Sequence, residues 1–162
     1  MSKQNIGFDS KVQSEVPLAV IGQVHIDEQG RRFLYGRANG TLTAGRMHHM
    51  ATDASYDFTP NTTTLTGTPG SHWKLLGVPD VDMTDNYYGW FWIGYGTYEC
   101  VIENSFAAAD IIYTTANAGL PGTNSSSFIL DGFKTIDAGV TTTRVTCWAA
   151  GRLTAGLIAC AD

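Results

Sequence analysis

His48-His49 is the densest pair of nitrogen ligands in this 162-residue chain, and Asp80-Val81-Asp82-Met83-Thr84-Asp85 its densest run of carboxylates. Neither has the company that a metal site needs. Adjacent histidines point apart in a strand and diverge by about 100° in a helix, so His48-His49 reads as a surface turn. The acidic run has carboxylates at its first, third and sixth positions. It lacks the glycine and the terminal glutamate of an EF-hand loop, and reads as an acidic turn. Cys100, Cys147 and Cys160 contain no C-x-x-C pair. They read as buried free thiols in a reducing compartment rather than as zinc ligands.

Covalent catalysis is equally poorly supplied. There is no G-x-S-x-G, and Ser125-Ser126-Ser127 sits in a loop-like stretch. Cys100 and Cys147 fall within strand patterns, where thiols are usually inert packing. Glu99 and Glu103 are a carboxylate pair of the kind any domain with fifteen acids offers, which is weak support for a glycosidase. Gly94-Tyr95-Gly96-Thr97 opens no helix, so it is no phosphate loop. No catalytic, cofactor-binding or metal-binding residue is assigned, and the chain reads as not an enzyme.

The residues that do stand out are aromatic. Tyr87-Tyr88-Gly89-Trp90-Phe91-Trp92-Ile93-Gly94-Tyr95-Gly96 is broken only by glycines and one isoleucine. In a strand, successive side chains alternate between faces. Tyr88, Trp90 and Trp92 then share one face, and Tyr87, Phe91, Ile93 and Tyr95 the other. A strand so bulky on both sides must be covered twice. Its second cover is a second sheet, a neighbouring subunit or a ligand. Burial in a core or interface is favoured over an open sugar platform, because aromatics contribute large area with few rotors.

The elements around this strand are short and β-like. From Pro17, Leu18, Val20, Val24 and Ile26 fall on one face of an alternating run, with Gln23, His25 and Asp27 on the other. A turn at Glu28-Gln29-Gly30 leads into a second strand over Arg31 to Arg37, a hairpin pattern. Gly45 to Ala54 has the pattern of a short helical turn. Residues 55–72 are rich in Thr, Asn, Gly and Pro and read as a long surface loop. Further strands are expected over 73–78, 98–102, 111–115, 128–130, 141–149 and 157–160, with a loop over 116–127. Leu42-Thr43-Ala44-Gly45 recurs as Leu153-Thr154-Ala155-Gly156, either by chance or as two equivalent strand-end turns. Short strands with glycine-rich turns and no amphipathic helix predict an all-β fold. The expected architecture is a compact β-barrel or β-sandwich with long Thr/Gly-rich loops. Residues 1–15 are polar and read as an extended N-terminal arm that orders against a partner. Residues 16–162 form a single β-rich domain.

Charged residues make up only 15% of the chain, with 10 Lys and Arg against 15 Asp and Glu, a net charge of −5. Ordinary soluble domains carry about 25%. Such a surface is often hidden in an assembly. Scattered basic residues and a negative balance argue against nucleic acid as a partner. No apolar run predicts a secretory signal or a bilayer span, so no membrane partner is expected and synthesis in a cytoplasm is.

Three stretches carry a resemblance. They are Leu18-Ala19-Val20-Ile21-Gly22 followed by Asp27-Glu28-Gln29-Gly30-Arg31-Arg32-Phe33-Leu34-Tyr35; Asp85-Asn86 with the aromatic strand to Gly96; and Ala108-Ala109-Asp110-Ile111-Ile112-Tyr113-Thr114-Thr115 with Ala116-Asn117-Ala118-Gly119-Leu120. In layout, residues 18–160 resemble the capsid decoration, or cement, proteins of tailed bacteriophages. The resemblance implies a β module on the outer surface of the virion capsid. It would be a homotrimer bridging copies of the major capsid protein, with no cofactor. Candidate interface residues are then Tyr88, Trp90, Trp92 and Tyr95 of the aromatic strand and Phe8 and Val12 of the arm. The alternative is a carbohydrate- or receptor-binding head or fibre module that uses the aromatic strand 87–95.

Overall fold

A computed structural model describes residues 8–50, 55–60, 74–102, 111–114, 121–122, 129–138 and 144–155. The fold is all-β, and no helix occurs among these residues. The strands are β1 (Gln13–Ser14), β2 (Val24–Ile26), β3 (Arg32–Ala38), β4 (His48–Met50), β5 (Asp57–Thr59), β6 (Lys74–Pro79) and β7 (Tyr88–Trp92). They continue as β8 (Gly94–Val101), β9 (Ile111–Thr114), β10 (Pro121–Gly122), β11 (Ile129–Thr135), β12 (Arg144–Arg152) and β13 (Thr154–Ala155).

Strands β7, β3, β5, β4 and β6 hydrogen-bond in that order, and β6 pairs back onto β7, which closes a five-stranded barrel. One pair, β3 with β5, is parallel; the rest are antiparallel. A second sheet runs β10-β9-β11-β12-β8. Barrel and sandwich, expected as alternatives, occur together, because one wall of the barrel carries the second sheet.

Period-two alternation builds both cores. Along β3, Leu34 and Ala38 point into the barrel, while Phe33 and Tyr35 point out. Along β7, Phe91 joins the interior and Trp90 and Trp92 the outer wall. Phe58 fills the barrel centre, its ring 3.9 Å from that of Phe91 and nearly parallel to it. Space for Phe58 comes from missing side chains. A Cβ on Gly36 would lie 2.9 Å from the Phe58 ring, and one on Gly77 would lie 2.9 Å from the Phe91 Cβ. The outer wall packs on Tyr98, Cys100, Phe133, Val145, Cys147 and Ala149 of the second sheet. Trp92 stacks on Tyr98 with ring centroids 5.0 Å apart. The second cover of the aromatic strand is therefore a sheet of the same chain.

The chain passes from barrel to second sheet at Gly94-Tyr95-Gly96. All three residues have positive φ, 110°, 63° and 73°. A Cβ on Gly94 would overlap the Gly151 carbonyl, so only glycine fits that bend.

Several local expectations are corrected. The helical turn over residues 45–54 is instead strand β4, because His48 and His49 pair with Gly77 and Leu76 of β6; residues 51–54 lie outside the described set. His48 is buried, not a surface turn residue. Asp57–Thr59, read as loop, is a barrel strand, clamped to β3 where Asp57 accepts two bonds from Arg37 at 2.9 and 2.6 Å. The hairpin strand expected from Pro17 shrinks to Val24–Ile26. Pro121–Gly122 forms a short strand inside the loop expected over 116–127. Gly45 has the left-handed φ expected of a turn, 75°. Gly156 and the strand expected over 157–160 lie outside the described residues.

Part of the expected N-terminal arm is described. Residues 8–15 lie on their own domain. Gln13 and Ser14 pair with Gly89 and Tyr88, Ser10 donates to Asp80 at 3.0 Å, and the Gln13 side chain accepts the Thr84 amide at 2.9 Å. Residues 1–7 of the expected arm lie outside the described residues.

Candidate interaction surface

The residues with metal or acid-base potential serve as structural bonds. Asp85 accepts the Gly40 amide at 2.6 Å and Asp82 the Ala44 amide at 2.8 Å. Asp80 takes Ser10 and Arg144, each at 3.0 Å. The three carboxylates thus tie three separate segments to one turn. Among the described residues no group of three or more His, Cys, Asp or Glu converges on one point.

His48 hydrogen-bonds the Thr43 carbonyl through Nε2 at 3.0 Å, while its buried Nδ1 has no partner. Burial lowers its pKa to about 4, with Arg46 and His49 adding to the effect and the Thr43 carbonyl opposing it. The ring is neutral at physiological pH. Cys100 and Cys147 are free and buried. Burial, with Cys147 beside it, pushes the Cys100 thiol up, away from the thiolate that reactive cysteines need. Burial likewise raises the Tyr98 hydroxyl.

The candidate interface residues separate into three environments. Trp92 is fully buried and Trp90 nearly so, with Tyr88 packed at their margin. The Trp92 ring faces the second sheet and the Trp90 ring is covered by Phe8 and Tyr35, so neither offers an open plane to a sugar. Tyr95 does not share a face with Phe91 and Ile93, because the positive-φ bend turns it outward. It is half-buried, and the Arg32 guanidinium lies 3.9 Å over its ring. Phe8 is half-buried in a nest of His25, Phe33 and Trp90. Val12 alone is substantially exposed.

A larger exposed feature follows Val12 along the chain. From Val16 to Ile26 the chain has no Asp, Glu, Lys or Arg. Val16, Leu18, Val20, Ile21, Val24 and Ile26 are all exposed, Val20 at 73% and Ile26 at 57%. The segment is held from beneath. Ala19 packs on the sandwich core, the Leu18 amide donates to the Tyr35 hydroxyl at 2.9 Å, and the Gly22 amide donates to the Tyr35 carbonyl at 2.8 Å. Inward positions thus go to small or polar groups, and the large aliphatics are left facing water. Scattered apolar residues on a surface are ordinary, but an apolar run this dense marks an interaction site. Sequence reading put Leu18, Val20, Val24 and Ile26 on one face without assigning them as interface, because alternation alone does not say which face is covered.

A second exposed apolar spot lies on the outer face of the second sheet. There Trp148, 41% exposed, stands between its register partners Thr97 and Lys134, with the exposed Ile136 just past the end of β11. Among the described tryptophans the exposed one is thus on β12 and not on the aromatic strand.

No protein-family model matches the chain, and no curated protein matches it.

Proposed function

We propose that this chain is a non-enzymatic virion structural protein that binds the outer surface of an icosahedral capsid. In this reading it acts as a homotrimer that bridges copies of the major capsid protein and stabilises the shell. The observation that carries the reading is the uncharged Val16–Ile26 run on a closed barrel. Six exposed aliphatics on a rigid support suit docking onto a protein surface, where apolar burial contributes roughly 25 cal/mol per Å². The closed barrel and the doubly covered wall suit a clamp that must resist the outward pressure of packaged DNA. Many modest contacts made together by one assembly act through effective concentration.

The test is to mix purified protein with undecorated capsids and measure copies bound per particle. Binding at a lattice-like copy number is expected, with V16E/L18E/V20E losing most of it while its thermal midpoint stays unchanged. These side chains face solvent, so the charges carry no folding cost. Failure of the wild-type protein to bind shells, or equal binding by the triple variant, would overturn the reading. A specific signal on a glycan array from a protein that ignores capsids would favour a receptor-binding head instead.

A further inference from the structure

Strand β2 is a sheet edge left open. It pairs with β3 on one side, and no strand flanks its other side among the described residues. The hydrogen-bond alternation fixes which groups face outward. The Asp27 amide donates to the Arg31 carbonyl, and the Tyr35 amide donates to the Gln23 carbonyl. In an antiparallel pair, bonding alternates between the two edges. The odd-numbered residues therefore bond β3, and Val24 and Ile26 direct their amides and carbonyls to the open edge.

Natural sheets blunt such edges with lysine, proline, bulges or a covering loop. Among the described residues strand β2 carries none of these, and its outward side chains are the exposed Val24 and Ile26. We infer that this edge is a contact between two copies of this chain, in which β2 of one copy pairs antiparallel with β2 of the other about a two-fold axis through His25.

The sequence around β2 is complementary to itself in that register. Val24 of each copy faces Ile26 of its mate. Each residue donates one backbone bond and accepts one across the axis. The aliphatic pairs stack on the exposed face, where cross-strand β-branched pairs stabilise a sheet. The charges agree as well. Asp27 meets Gln23 of the mate and Glu28 meets Gly22, so no two acids oppose each other. Parallel pairing would set Asp27 against Asp27. Glu15 and Lys11 lie outside the paired stretch. The mate's His25 and its own lie on the buried face of the strand, where Phe8 already covers His25 at 4.1 Å.

This contact is isologous and closes on itself as a pair. It cannot generate a three-fold ring. It adds to any ring by doubling it, and it leaves Val12, Val16, Leu18 and Val20 free for a different partner. Where the trimer proposed above holds, the edge joins one trimer to the next. The contact itself does not depend on that reading or on a capsid.

Sedimentation velocity without capsids is the first test. The wild-type protein is expected as an even-numbered assembly at high concentration, and V24K/I26K as a species of half that mass with an unchanged thermal midpoint. Register is tested by cysteine exchange. Oxidation of a mixture of Val24→Cys and Ile26→Cys proteins should give a covalent pair far faster than either variant alone. A wild-type protein that stays monomeric or odd-numbered, an assembly whose mass V24K/I26K leaves intact, or equal cross-linking of the single variants would each overturn the inference.

Discussion

The ring of Phe8 lies 4.1 Å from that of His25 and 13° from parallel to it. This stack anchors a strap, residues 8–15, across the open side of the barrel wall. Phe33 and Trp90 complete the seat at 4.7 and 5.3 Å. The backbone contribution is small, since β1 pairs over two residues only. The main apolar anchor of the strap is therefore one aromatic side chain. Truncation of Phe8 to Ala should release the strap and leave the barrel folded. A half-buried phenylalanine is worth about 1–2 kcal/mol, and the urea midpoint should fall accordingly. The clearer readout is hydrogen exchange. Amides of residues 10–14 should exchange in F8A at rates near those of an unstructured peptide, while those of β3 and β7 stay protected. Unchanged protection over 10–14 would mean that Ser10–Asp80 and Gln13–Thr84 hold the strap by themselves.

The strap shows where legibility ended. The alternation along β7 was readable because each position carries a side chain large enough to declare its face, and the second cover followed from bulk alone. Phe8 was not readable as a docked residue. Its seat is assembled from His25, Phe33 and Trp90, which come together only in the folded barrel. The closure of the barrel was equally hidden, since β4 and β5 are three-residue strands whose pairing, not their propensity, defines them. For Trp148 a signal did exist. Val145, Cys147 and Ala149 share one phase of β12 and are buried, which puts Trp148 with Arg144 and Thr146 on the solvent side. The carboxylates of Asp80, Asp82 and Asp85 were legible as a turn, but their partners are distant in sequence.

His48 couples stability to acid. Its folded pKa of about 4 lies below the 6.5 of an unfolded histidine, chiefly through burial. The unfolded chain therefore binds the extra proton first as pH falls. Its contribution to stability is fully present above pH 6.5, declines through the interval down to about 4, and changes no further below that. At about 1.4 kcal/mol per unit, the loss amounts to about 3 kcal/mol at most. Urea unfolding measured at successive pH values should show this slope in wild type, and a flatter one in His48→Asn, which has no proton to gain. Equal slopes in the two proteins would place the acid sensitivity elsewhere.

The tryptophans divide by environment in a way that fluorescence can resolve. Trp92 is sealed between the barrel wall and Tyr98, and its indole nitrogen donates to the Tyr95 carbonyl at 3.3 Å. Trp90 lies beneath the strap against Phe8 and Tyr35. Trp148 stands in solvent on the opposite sheet. Trp73 is outside the described residues and is common to every variant compared. Acrylamide should therefore quench a distinct accessible component in the native protein, and Trp148→Phe should remove it with little change in stability. Trp92→Phe should leave that component intact and remove a protected, blue-shifted one. It should also lower the thermal midpoint, because the swap strands the Tyr95 carbonyl at the strained bend and opens space against Tyr98. Truncation at such a site costs a few kcal/mol. If Trp92→Phe instead removed the accessible component, the second sheet would not be covering the barrel wall in solution. The aromatic face would then be available to a ligand.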